Sequence, residues 1–195
     1  RTPIPSTSLA AIPAPPALVA PENPYTNQAT TNLAGTVPSE VVGRKGYLVR
    51  VYVAVPDQEP VVLREVDVGE TTSFVVSDLP LEPGRNDVTA TLVGPGGESE
   101  TSPAVTYVYD KSKPKITITS PRNKATVNGS VVKVTGKTQG RATVVARNEA
   151  NGTSATATAA DSGAFPVEVP LSYGTNGIAL PATDLEGNVG TAVLP

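Results

Sequence analysis

The chain of 195 residues contains no Cys, His, Met or Trp, and aromatic residues make up only 4% of it. Without thiolate or imidazole, it cannot by itself assemble a Cys- or His-based nucleophile, a Ser-His-Asp triad, or a zinc or copper site built on those ligands. The missing Cys and Met also remove the thiol and thioether oxidation ladder, which suits exposure outside a cell. Lack of Cys does not argue for the cytosol, because disulfides are optional in secreted domains of this size. Charge of one sign is missing too: 15 Lys and Arg stand against 18 Asp and Glu, mixed along the chain, for a net charge of −3. No broad field therefore attracts nucleic acid or anionic lipid, and neither is expected as a partner. No apolar run reaches membrane-spanning length, and the N-terminus lacks the charged-then-apolar pattern of a signal peptide. A chain that starts at Arg1 and holds no Met is expected to be a processed product or a piece of something longer.

What is present points to strands. The 20 Pro and 17 Gly punctuate stretches rich in Val and Thr, and no long segment has helical period, so the composition predicts an all-β fold. One pattern, Pro-Leu-x-x-Gly-x-Asn, occurs twice at a spacing of ninety: Pro80, Leu81, Gly84, Asn86 and Pro170, Leu171, Gly174, Asn176. The register continues through Val88, Ala90 and Leu92 against Ile178, Leu180 and Ala182, and the two Phe, Phe74 and Phe165, fall at matching places one residue apart. Such spacing marks a duplicated domain.

The punctuation divides the chain into a Pro-rich extended leader (1–24), a first domain (25–110), a short stiff linker (111–114) and a second domain (115–195). In the first domain strands are predicted at 30–37, 46–55, 61–68, 72–77, 86–93 and 104–110, with Val49, Val51 and Val53 on one face. In the second they are predicted near 114–121 and at 130–136, 142–147, 153–159, 164–169, 176–183 and 189–194. Asn151-Gly152 signals a two-residue hairpin. Pro166 and Pro181 are expected at edges or bulges, because proline cannot donate to a ladder. Short strands at this spacing predict two-sheet sandwiches.

ITITSP (116–121), VNGSVVKVTGKT (127–138), SGAFPVEVPLSYGTNGI (162–178) and ATDLEGNVGTA (182–192) resemble bacterial immunoglobulin-like modules. Such modules lie beside glucodextranase and other secreted enzymes and in long surface proteins. The first domain matches only in its second half, through Phe74, PLEPGRND (80–87) and GPGGES (94–99). The resemblance implies two tandem Ig-like β-sandwich domains. It also implies that Phe165, Val167, Val169, Ile178 and Leu180 fill a core while Asn176 hydrogen-bonds across its turn.

Candidate sites are few. Asp184, Glu186 and Asn188, with Asp161 from another loop, are the oxygen donors that a calcium ion would use; the alternative is a turn bonded to its own amides. Calcium is the one cofactor candidate. Tyr107 and Tyr109 share a strand face and would form a glycan platform if exposed, or pack at a sheet margin. Ile4, Leu9, Ile12, Leu18 and Val19 in the leader would dock along the first domain or on a neighbouring subunit. Asn128-Gly-Ser and Asn151-Gly-Thr match the N-glycosylation pattern and equally match turns. The function expected is a non-catalytic structural or assembly module of an extracellular or cell-surface protein, self-associating as a fibre or sheath subunit through the leader. The alternatives are a glycan-binding accessory domain, an adhesin, or a decoration protein on a virus particle.

Overall fold

The computed structural model describes residues 10–195, which divide into two compact units on either side of the Asp110–Lys111 bond. The first unit holds β1 (Ala17–Leu18), β2 (Tyr25–Thr26), β3 (Thr30–Thr36), β4 (Leu48–Ala54), β5 (Val61–Asp67), β6 (Ser73–Pro80), β7 (Gly84–Gly94), β8 (Gly97–Glu98) and β9 (Val105–Tyr109). One 3₁₀ turn, Ser39–Val41, follows β3. These strands form two sheets, β1-β3-β6 and β2-β9-β7-β4-β5, with β8 paired to β7. Alternation closes them face to face: Leu33, Phe74, Val76 and Leu79 from the smaller sheet meet Val49, Val51, Val88 and Leu92 from the larger in one buried cluster.

The second unit holds β10 (Thr117–Ser120), β11 (Val131–Lys137), β12 (Thr143–Asn148), β13 (Ser154–Thr158), β14 (Ala164–Pro170), β15 (Ile178–Thr183) and β16 (Val189–Leu194). Its sheets are β10-β11-β14 and β13-β12-β15-β16. Val134, Phe165, Val167 and Val169 pack against Val144, Ile178 and Leu180 in its own core. Both units are thus β-sandwiches, and the all-β, Ig-like fold class read from the pattern holds.

Two glycines show how the repeat was built. Gly35 on β3 pairs with Phe74 on β6, and Gly136 on β11 pairs with Phe165 on β14. Each glycine leaves the space that the phenylalanine ring fills. A Cβ on Gly136 would stand 2.7 Å from the Phe165 ring and 2.6 Å from the Thr117 carbonyl oxygen, while one on Gly35 would meet the Phe74 ring and the Ala17 carbonyl oxygen. By this equivalence β1 corresponds to β10, so β1 is the first strand of a sandwich.

That corrects the leader. Leu18 pairs with Gly35, Val19 N–H donates to Ala34 O at 2.9 Å, and Leu18 packs on the first core. Further in, Val108 N–H donates to Pro24 O at 2.7 Å. Sheet structure therefore begins inside 1–24, and a two-residue strand among prolines has no alternation to reveal it. Two other local expectations also change. The hairpin after β12 closes through Asn148 N–H to Thr153 O at 2.8 Å, leaving four residues in the turn rather than two. Pro166 does lie on an edge strand, but Pro181 lies in β15, between β12 and β16. The β12–β15 ladder skips Pro181 and Leu180, with Val144 facing Ala182 and Arg147 facing Ala179 in the same register on either side.

Candidate binding cleft

The duplicated motif makes the same small structure twice. Asn86 Oδ1 accepts from Glu82 N–H at 2.8 Å, and its Nδ2 donates to Glu82 O at 2.7 Å and Gly84 O at 3.0 Å. Asn176 repeats this with Ser172 N–H at 2.8 Å and with Ser172 O and Gly174 O, each at 2.9 Å. Gly84 and Gly174 have φ of +94° and +95°, which glycine adopts without strain. The asparagine closes the turn from within, as the family resemblance implied.

In the second unit this turn has a neighbour. The strandless segment between β10 and β11 lies opposite it, and the two enclose a cleft of about 1020 Å³. Its floor is the end of the core: Val132, Leu171, Ile178 and Leu194. One wall carries Arg122, Lys124 and Asn128, all exposed, and the other carries Tyr173, a fully exposed aromatic at the tip of the turn. No Asp or Glu side chain lines it. The sequence pattern points to Asn176 in this turn and not to Tyr173. The signal was the comparison of copies, since Pro83 stands there in the first turn and only the second carries an aromatic.

The other candidates are placed as follows. Asp184 and Asn188 close the β15–β16 turn on each other: the Asp184 carboxylate accepts from Asn188 N–H at 2.7 Å and from its Nδ2 at 3.0 Å, and both side chains are buried. Asp161 is exposed in the separate β13–β14 turn. Among the described residues no group of three or more Asp or Glu is arranged to hold a metal ion.

Tyr107 and Tyr109 form no platform, since they are only 5% and 7% exposed and belong to the first core. Burial pushes the Tyr107 phenol above its ordinary pKa, partly offset by a hydrogen bond with Thr31. They face inward because β9 runs beside β7 in the larger sheet, with Thr106 and Val108 turned the other way.

In the leader Ile12 and Val19 are 63% and 56% exposed, while Ile4 and Leu9 lie outside the described residues. Asn151 is held in its turn, donating to Pro170 O at 3.2 Å and accepting from Thr153 Oγ1 at 2.7 Å. Asn128 lies on the cleft wall.

The outer face of the larger sheet in the first unit carries a polar row. Arg50 Nε donates to Glu65 at 2.7 Å and its Nη1 to Glu98 at 2.8 Å, while Thr91 donates to Glu98 at 2.6 Å. Beside it Arg85 pairs with Asp87 at 2.9 Å, and Asp87 also accepts from Thr106 at 2.6 Å. The Thr91 and Tyr52 hydroxyls, together with Arg50, hold the Glu98 carboxyl below the usual range; Arg85 and Thr106 do the same for Asp87. Every member has partners within the row, which fastens strands rather than presenting a reactive group.

No family model matches the chain. A stretch of 111 residues, 57% of the chain, is 32% identical to Bacillopeptidase F of Bacillus subtilis (strain 168), and the chain spans 7% of the length of that curated relative. Among solved structures, fibronectin(III)-like modules of Clostridium thermocellum CbhA align over 91% of this chain and 90% of theirs, with 15% identity and a TM-score of 0.47. A biofilm-associated protein BSP domain aligns over 92% of this chain and 29% of its own, with 18% identity and a TM-score of 0.35. The fold assignment rests on the chain's own sheets, and the narrower likeness to glucodextranase-associated modules has no family model behind it.

Proposed function

We propose that this chain is a non-catalytic structural segment of an extracellular or cell-surface protein, a pair of sandwiches that holds distance and resists tension. One observation carries the reading: β2 and β9, the strands near the two ends of the first unit, run parallel and are hydrogen-bonded. Tyr25 pairs with Val108 and Thr26 with Tyr109, with Val108 N–H to Pro24 O at 2.7 Å and Asp110 N–H to Thr26 O at 3.1 Å. Tension entering before β2 and leaving after β9 slides the two strands along each other, so their bonds are loaded together rather than opened in turn. The second unit has no ladder between its first and last strands, β10 and β16, which belong to different sheets.

The buried polar side chains support the same reading. Asn86, Asn148, Ser99, Ser102 and the Asp184–Asn188 pair all hydrogen-bond in fastening turns and strand ends. Docking on a neighbour through Leu18 is not part of the proposal, because Leu18 already packs on its own core. Pulling the chain by its ends tests the reading. Two unfolding steps are expected, with the first unit yielding at the higher force; release of both units at negligible force would overturn it.

A further inference from the structure

Beyond the mechanical role, and independently of it, we infer that the cleft between residues 121–130 and 171–176 is a binding site for an anionic saccharide. Three features converge there. The Tyr173 ring stands fully clear of the protein. Its exposed ring is a flat platform with a polar tip, and the C–H face of a sugar ring is the flat, weakly polar partner that suits it.

Arg122 and Lys124 line the opposite wall without an acidic side chain beside them in the cleft. Neither enters an ion pair: among the described residues the salt bridges are Arg50–Glu65, Arg50–Glu98 and Arg85–Asp87, all in the first unit. Two cations outside these ion pairs, lining the same cleft as an exposed ring, suit a ligand carrying carboxylate or sulfate. The third feature is a set of hydroxyl and amide groups on the same walls, among them Asn128, Ser130 and Thr175. Such groups hydrogen-bond ring hydroxyls.

Size and charge narrow the class further. A cleft of about 1020 Å³ stands at the top of the usual small-ligand range of roughly 300–1,000 Å³, enough for a short oligosaccharide segment. Nucleic acid is a poorer match: it is held by rows of cations along its backbone with repeated aromatic stacking, and this wall offers two cations and one ring. A peptide strand is no better served, because the cleft is walled by a loop and a turn.

Affinity electrophoresis of the full chain tests the inference, in gels containing polygalacturonate (carboxylate), heparin (sulfate) or neutral dextran. Retardation is expected in at least one of the anionic gels and not in dextran, and the gel that retards identifies the anion. Tyr173→Ala and the double variant Arg122→Ala/Lys124→Ala should each bind about tenfold more weakly. Both change exposed side chains, and an unaltered thermal melt confirms that the fold is kept. No retardation by either anionic polymer, equal retardation by dextran, or retardation unaffected by both variants would each overturn the assignment. None of these results bears on the unfolding force of the first unit.

Discussion

At the scale of single residues, the asparagine of the repeated motif has the clearest measurable role. Asn86 is fully buried and is the hydrogen-bond partner of Glu82 N–H, Glu82 O and Gly84 O. Asn86→Ala leaves those groups without it, so a loss of about 2 kcal/mol is expected, on the order of 10 °C in the melting temperature of that unit. Calorimetry checks it, and a neutral result would mean that the turn holds itself.

Acid should also weaken the first unit. Glu98 and Asp87 titrate lower when folded, so the stability they add is present above the ordinary carboxylate range and lost as pH falls below about 4. Glu98→Gln should give a shallower loss of the urea midpoint on acidification than the wild type; an identical slope would remove Glu98 from the account. The motif asparagines were legible in the sequence because their partners lie within four residues. The polar row was not, because Arg50, Glu65 and Glu98 meet only once strand register is fixed.

At the scale of elements, the alternating strands were legible because one buried face imposes a period of two. Val49, Val51 and Val53 face inward, as do Phe165, Val167 and Val169. The short β1 and β2 escaped because two residues carry no period, and Pro181 misled because a ladder can skip two positions without ending. Tyr107 and Tyr109 show the limit of face counting: they share a side of β9, but only the neighbouring strand decides that this side is the core.

The Gly–Phe pairs belong to this scale as well. Gly136 sits between the Phe165 ring and the edge strand β10, so Gly136→Ala forces one of them away, at an expected cost of about 2 kcal/mol. Chemical denaturation reads it directly, and a variant as stable as the wild type would show that the ring has room to shift.

At the scale of the whole molecule, two sandwiches share a motif and a core plan but differ at their ends. The first couples β2 to its last strand, β9, through a parallel ladder, while the second carries an aromatic and two cations at the cleft beside its motif turn. Duplication was legible from the ninety-residue spacing, whereas the functional difference emerged only where the copies diverge: Pro83 against Tyr173, and a first strand that continues into β2. The mechanical account turns on the β2–β9 bonds, and Val108→Pro removes one donor from them. Val108 N–H points at Pro24 O, so the substitution spares the donors that join β9 to β7. Single-molecule pulling of wild type and Val108→Pro should show the first unit's unfolding force fall clearly in the variant while the second unit's stays the same. An unchanged force in the first unit would contradict the claim that this parallel pair carries the load.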